Sequence, residues 1–269
     1  MSVRGASGEA AAGLRDLLGQ VTSPGTNLGQ DLFGVAAVLR SEPALRRLAT
    51  DVSTDSAAKA GLVRSIFDGK VDQIVLDLVA DAVARRWTAT RDLADTLEQL
   101  GVIAVVRSVG DQATDASRLS DELFVIGRTI NDNPELRTAL GDPARSVEDK
   151  RALLRSLLEG RVLPASLVLA EQALSGAYRT VGLAIVDYQK IAASVHEESV
   201  AKVRVAQELS DADRSRLQRA LTKQYGREVH LNVTVDPSLL GGMRVEIGDD
   251  VIDGTVAARI DEARRKLAG

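Results

Sequence analysis

Asp236-Pro237-Ser238-Leu239-Leu240-Gly241-Gly242-Met243-Arg244-Val245-Glu246-Ile247-Gly248-Asp249-Asp250-Val251-Ile252-Asp253-Gly254 is the stretch that decides how the end of this chain folds. Asp236-Pro237-Ser238 starts a turn, because proline presets φ and the aspartate side chain can bond its own backbone two residues on. Gly241-Gly242 then frees the backbone ahead of a short alternating run, with Met243, Val245 and Ile247 on one face and Arg244 and Glu246 on the other. Gly248-Asp249 turns the chain again, so Val251-Ile252 can pair back as a second strand. Asp253-Gly254-Thr255 stops that strand and opens a helix. The expected product is a hairpin feeding a helix, a scaffold rather than a reaction centre.

Upstream, Val200–Ala206 alternates like a strand and Ser210 stands as an N-cap. The helix expected from Asp211 to Tyr225 carries Leu217 and Leu221 four residues apart and stops at Gly226. Val229, Leu231, Val233 and Val235 predict a further strand. Downstream, Val256, Ile260, Ala263 and Leu267 form one helical stripe, with Arg259, Arg264, Arg265 and Lys266 off it and a basic last turn that suits the helix dipole. Residues 196–269 are therefore expected to form a small α+β domain.

The rest of the chain is repetitive. Aligned without gaps at an offset of 91, residues 32–71 match residues 123–162 at 12 of 40 positions, where unrelated sequence of ordinary composition would give about three. The identities include Leu32/Leu123, Phe33/Phe124, Pro43/Pro134, Leu45/Leu136, Arg46/Arg137, Asp51/Asp142, Lys59/Lys150, Leu62/Leu153, Arg64/Arg155, Gly69/Gly160 and Val71/Val162, and Trp87 and Tyr178 fall at the same offset. The period exceeds that of a solenoid unit and points to duplication of a small helical domain. Each copy reads as a helix (Leu32–Leu39, Leu123–Ile130) stopped before proline, a short helix around Leu45 or Leu136, a polar turn and a third helix (Ala57–Phe67, Val147–Leu158) stopped at Gly69 or Gly160. A fourth and fifth helix follow through Leu76–Val83 and Leu167–Leu174. A first helix over 9–21 precedes the first copy, a long helix from about Arg91 to Ser108 closes it, and its equivalent runs from about Val181 to Val195. The fold class expected is mainly α: a duplicated helical-bundle N-terminal region, then the small α+β domain, with boundaries at 1–90, 91–195 and 196–269.

A chain of 269 residues can bury several cores, and its 45% apolar but only 3% aromatic content fits helical bundles built on Leu, Ala, Val and Ile. The formal charge is −4, and residues 196–269 hold 12 Lys/Arg against 13 Asp/Glu, leaving 22 against 25 before them. Neither part has the basic footprint of a nucleic-acid binder, so no nucleic-acid partner is expected. With no cysteine, disulfides, thiolate metal sites and a cysteine nucleophile are excluded. No apolar run approaches the ~18 residues needed to span a bilayer, and the first residues lack a secretory h-region. The expectation is a chain on the cytoplasmic side without direct membrane insertion, meeting a membrane only through a partner.

Candidate sites are few. Asp249, Asp250 and Asp253 bunch before Gly254, but a calcium loop starting at Asp249 would have Val251 at its third position and Ile260 at its twelfth, so a solvated turn is the better reading. His196 and His230 have no second histidine or cysteine at ligand spacing. Gly241-Gly242 lacks the lysine of a phosphate loop, and no glycine-framed serine or Ser/His/Asp set occurs. Catalytic, cofactor and metal residues are all expected to be absent. Trp87 and Tyr178 read as core or groove residues, and Arg85-Arg86-Trp87 and Arg151 to Arg155 as solvated faces or, alternatively, the rim of a groove for a partner helix.

In Asp236, Leu240, Gly241, Gly242, Gly248, Asp249, Val251, Ile252, Asp253, Gly254 and Thr255, with Val203-Arg204-Val205-Ala206, Leu209-Ser210, Leu217 and Val229-His230-Leu231 upstream, the chain resembles the delta subunit (oligomycin-sensitivity-conferring protein) family of F-type ATP synthases. The match is specific over roughly the last quarter, and the extra leading copy resembles the long actinobacterial form. The resemblance implies a non-catalytic subunit of the peripheral stalk of a proton-translocating enzyme, present once per complex at the cytoplasmic side of the cell membrane. It implies that the second helical copy grips the N-terminal segments of alpha subunits and that the C-terminal domain binds a separate b subunit. Asp236, Gly241, Gly242, Gly248, Asp249, Asp253 and Gly254 would then be a structural signature. The alternative from another class is a soluble helical adaptor unrelated to ATP synthesis.

Overall fold

A computed structural model describes residues 5–22, 24–110, 113–225, 229–247 and 250–256. The chain separates into two compact units, Met1–Ala192 and Ala193–Gly269.

The first unit is helical. Its first half runs α1 (Ala6–Gly19), α2 (Thr26–Ser41), α3 (Pro43–Thr50), α4 (Ser56–Phe67), α5 (Gln73–Ala84) and α6 (Thr90–Arg107), and its second α7 (Ala113–Asp132), α8 (Pro134–Gly141), α9 (Val147–Leu158), α10 (Pro164–Gln172) and α11 (Val181–Ser199) as far as Ala192, the last residues of α11 being counted in the second unit. Local chemistry explains the boundaries. Pro43 and Pro134 open α3 and α8, where a missing N–H costs nothing. Asp55 caps α4 by accepting from the N–H groups of Ala57 and Ala58, and Ser146 caps α9 by accepting from Asp149 N–H at 3.0 Å.

The duplication seen in the sequence is also one of contacts. The Asp31 carboxylate accepts from the N–H of Asp72 at 2.8 Å, and at the same offset Glu122 accepts from the N–H of Leu163 at 2.8 Å. Arg46 donates to the Arg40 carbonyl at 3.1 Å, as Arg137 does to the Asn131 carbonyl at 2.8 Å. In each copy a carboxylate on the long helix therefore pins the start of a later one, and an arginine ties the short helix back to the helix before it. The offset also carries α6 onto α11.

The copies diverge where two helices cross. On α6, a Cβ at Gly101 would lie 2.5 Å from the Phe33 ring, and the backbone oxygen of Gly29 is 3.0 Å away. That absence of a side chain gives Phe33 its seat, and the ring is 6% exposed. The equivalent of Gly101 is Ala192, and the equivalent of Phe33, Phe124, is 54% exposed. α7 and α11 instead approach where Gly127 faces Ile185.

The second unit is α+β: β1 (Val200–Val205), α12 (Asp211–Tyr225), β2 (His230–Val235), β3 (Met243–Ile247) and β4 (Asp250–Asp253), in sheet order β2-β1-β3-β4. β1 pairs parallel with β2, with α12 as the crossover that a parallel pair needs, and antiparallel with β3, which pairs antiparallel with β4. Ala201, Val203, Val205, Leu231, Val245 and Ile247 cover one face together with Leu221 of α12, with Leu217 and Tyr225 packed at the margin. On the other face Arg204 lies opposite Arg244, a like-charge pair disfavoured in a sheet. Glu246 offsets it, sitting 3.3 Å from Arg204 and 3.1 Å from Arg244.

Most expected elements are present, with shifted ends. The helix expected over 9–21 is Ala6–Gly19, the one expected at Leu123–Ile130 spans Ala113–Asp132, and the stretch expected helical to Leu174 stops at Gln172. The Gly248-Asp249 turn, the Gly226 stop and the stripe from Ile260 to Leu267 lie outside the described residues.

Candidate partner interface

The glycine-rich signature of the second unit is a knot of backbone. The Asp236 N–H donates to the Val205 carbonyl at 2.8 Å, tying the turn to the end of β1. The Gly254 N–H donates to the Met243 carbonyl at 2.9 Å, and the Val256 N–H to the Gly241 carbonyl at 3.0 Å. Gly242 has φ 83°, and a Cβ there would stand 2.4 Å from the carbonyl oxygen of Gly254. Asp236, Gly241, Gly242, Asp253 and Gly254 thus come together, while Gly248 and Asp249 fall outside the described residues. Asp250 and Asp253 sit at opposite ends of β4, across from Ile247 and Arg244, and Asp253 is engaged with Thr255. Among the described residues no group of three or more His, Cys, Asp or Glu could hold a metal ion. The backbones of His196 and His230 lie in α11 and β2.

Two aspartates of this knot are tuned by local hydrogen bonds. Asp253 accepts from the Thr255 hydroxyl at 2.7 Å and its N–H at 3.0 Å, and Asp236 from the Ser238 hydroxyl at 2.6 Å and its N–H at 3.0 Å. In each case the hydroxyl first and the backbone N–H second hold the carboxyl below its ordinary pKa. A group whose folded pKa is depressed stabilises the fold above its unfolded pKa of about 3.9, and that contribution is lost as pH falls through the folded value. The urea midpoint of the second unit is therefore expected to be level from neutrality down to about pH 5 and to fall below about pH 4. Asp253→Asn combined with Asp236→Asn should flatten the fall; an unchanged acid slope would assign it to other groups.

The first unit offers the binding geometry. α7, α8 and α9 enclose an open groove of about 880 Å³. Ile126, Ile130 and Leu154 form its buried floor, Leu136 and Leu153 its sides, and Val125 and Leu157 stand in it 58% and 40% exposed. Arg118, Asp121, Glu135, Arg145 and Arg161 line its edges. Glu122 is held rigidly at one wall, accepting from Arg118 Nε at 2.8 Å and from the Ser166 hydroxyl at 2.6 Å. An apolar floor between charges of both signs is the chemistry that receives an amphipathic helix.

The arginines considered from sequence as a groove rim lie elsewhere. Arg85 pairs with Asp81 at 2.6 Å beside buried Trp87, whose indole N–H donates to the Ala82 carbonyl at 2.9 Å. Arg151 pairs with Glu148 at 3.0 Å and Arg155 with Glu171 at 2.5 Å, in a separate cleft of about 300 Å³ facing α2. The α7–α9 groove went unnoticed in the sequence, although Val125 and Leu157 are apolar residues surplus to the buried stripes of their helices. That surplus was the available signal.

Comparison with known proteins bears on both units. A family model described as ATP synthase delta (OSCP) subunit matches residues 104–267. A Nocardioides protein named ATP synthase subunit delta is 60% identical over 242 residues, covering 90% of this chain and 87% of that protein. A protein of the same name from Nocardia farcinica is 40% identical over 268 residues, covering 98% of each chain, and one from Streptomyces avermitilis is 37% identical over 273 residues, covering 100% of each. The leading helical copy, ahead of the family model, is thus within the aligned length of these relatives. A chain of the Toxoplasma gondii mitochondrial ATP synthase hexamer is 16% identical, covers 62% of this chain and 96% of that chain, and has a TM-score of 0.31.

Proposed function

Because the chain belongs to the ATP synthase delta (OSCP) subunit family, we propose that it is the delta subunit in the peripheral stalk of a proton-translocating F-type ATP synthase. It links the catalytic alpha/beta head to the b stalk and holds the head still while the rotor turns. The observation that carries this reading is the near end-to-end alignment with proteins named ATP synthase subunit delta. The adaptor alternative has no comparable support.

In this reading the subunit makes and breaks no bond. Its contribution is stiffness, which close-packed helical interiors supply through low compressibility. The working division is an extra helical copy at 1–90, a second copy at 91–195, whose first helix α6 also closes the first copy, and a C-terminal domain at 196–269. The second copy binds N-terminal segments of alpha, and the α7–α9 groove, apolar with charged edges, is the surface we assign to an amphipathic alpha helix. The C-terminal domain binds b, and its aspartate–glycine knot is structural. Among the described residues no helix is long and apolar enough to cross a membrane. In this reading attachment to the membrane-bound enzyme is peripheral, through these partners, on the cytoplasmic side and with one copy per complex.

Two experiments test the reading at different levels. Membranes stripped of this subunit should regain ATP-driven proton pumping when the purified chain is added back; no recovery would refute the stalk role. Separately, Val125→Asp with Leu157→Asp should weaken binding of an alpha N-terminal peptide by about 10-fold or more, since buried anchors dominate such contacts. Thermal stability should hardly change, because both side chains are exposed. Unchanged affinity would move the alpha site off this groove.

A further inference from the structure

Glu98 stands midway along α6, the helix that packs against both copies, and its side chain is 2% exposed. Its partners come from both sides. From the first copy, Arg40 of α2 donates to Oε2 at 2.5 Å. From the second, the Ala177 N–H donates to Oε2 at 2.9 Å and the Tyr188 hydroxyl of α11 donates to Oε1 at 2.6 Å. These partners lie 58, 79 and 90 residues away in sequence, so no single helix or turn could assemble them.

The surroundings hold each partner in place. Arg40 also bonds Asp95 at 3.0 Å and the Ala94 carbonyl at 3.3 Å. Tyr188 is fully buried and meets the Tyr178 ring edge-on, centroids 5.6 Å apart at 89°, and the Tyr178 hydroxyl bonds Asp187. Burial, and then the Glu98 charge, push the Tyr188 phenol far above its ordinary range, so it stays a donor at every relevant pH. The loop after α10 comes so close that a Cβ at Gly176 would fall 2.0 Å from Glu98 Oε1.

The repeat supplies an internal control. At the offset of 91, Glu98 corresponds to Gln189, Arg40 to Asn131 and Tyr188 to Leu97. The buried cluster is therefore no part of the duplicated bundle plan. It occurs where the first copy meets the second. The packing between the copies nearby is open: the cleft of about 300 Å³ lies between Phe33, Gly34 and Ala37 on α2 and residues of α9 and α10.

We propose that Glu98 is the joint that fixes the angle between the two helical copies, so that they move as one stiff body. The joint is all-or-none. Separating the copies would strip a desolvated carboxylate, paired with Arg40, of donors from one side, and a buried ion-pair partner tolerates that poorly. A bundle pair held only by apolar contacts could slide gradually; one held at Glu98 cannot. This inference rests on the geometry and not on the stalk reading.

Because the chain lacks cysteine, Ser65→Cys and Ser156→Cys, exposed positions equivalent in the two copies, can carry spin labels on the full chain. Pulsed electron spin resonance should give one narrow distance distribution when Glu98 is present. Glu98→Gln, which keeps shape but loses charge, and Glu98→Ala should broaden or split it, and should divide the urea unfolding of residues 1–192 into two steps. Arg128→Ala, which removes an exposed pair with Asp132, should leave both readings unchanged. If the Glu98 variants lose helicity, Tyr188→Phe removes one arm alone and should still broaden the distribution. A distribution as narrow as the parent's in folded Glu98→Gln and Glu98→Ala chains, or in Tyr188→Phe where those fail to fold, would overturn the joint.

Discussion

Replacing Gly242 with alanine is expected to cost the second unit about 2–5 kcal/mol, from a left-handed backbone that a Cβ disfavours and a steric clash added to it. The new Cβ would lie 2.4 Å from the Gly254 carbonyl oxygen and 3.0 Å from the Thr255 Cα. Neither neighbour can step aside easily. The Gly254 N–H is bonded to the Met243 carbonyl, and the Val256 N–H to the Gly241 carbonyl. The strain is expected to break the junction of β3 and β4 with the turn before β3, while the helices of the first unit stay folded. Urea denaturation followed by hydrogen exchange separates the two units. Gly61→Ala is the control: nothing lies within 4 Å of its Cβ, and an alanine in a helix should raise stability by about 0.4–1 kcal/mol. A Gly242→Ala chain within about 0.5 kcal/mol of the parent, the usual range for a surface change, would contradict the close approach.

Gly101→Leu should be nearly as damaging, and in the other unit. Inserting methylenes into a filled crossing costs about 1–3 kcal/mol and more where backbone is struck. Here the first carbon alone meets the Phe33 ring at 2.5 Å and the Gly29 backbone oxygen at 3.0 Å. The higher helix propensity of leucine returns only about 1 kcal/mol. Phe33 should be driven from its seat into the exposed state that Phe124 already occupies in the second copy. A double-mutant cycle with Phe33→Ala tests the mechanism, because removing the ring should recover part of the loss. If the two losses simply add, the ring is not what the leucine strikes.

Much of this architecture was readable before any coordinates. Val147–Leu158 and Asp211–Tyr225 match their helices end to end, and Met243–Ile247 matches its strand. Those elements are bounded by local chemistry: Ser146 and Ser210 each bond the backbone three residues on, at 3.0 and 3.2 Å. Among the ends that moved are the start of α7 and the end of α10. α7 extends ahead of Leu123 through polar residues whose helix propensity is ordinary, and α10 ends before Leu174, where the chain turns to pass Glu98.

The groove and the joint were far harder to read, since both depend on contacts between residues distant in sequence. Phe33 and Phe124 are the same residue at the same place in a repeat, yet one is buried and the other exposed. Phe33 seats against Gly101, and the position equivalent to Gly101 in the second copy, 68 residues after Phe124, is Ala192. Glu98, seen in sequence, is one acidic residue on an amphipathic helix and would be assigned to solvent; only the approach of Arg40, Ala177 and Tyr188 makes it a buried hub.

By itself the amino-acid sequence determined the class of fold, the duplication, the hairpin and the family, because periodicity, caps, turns and signature residues act over a few positions. Tertiary structure alone decided which apolar side chains stay uncovered along the groove and which carboxylate ties one bundle to the next. Those outcomes depend on how closely two helices approach, and that distance is set by the side chains both of them bring to the crossing.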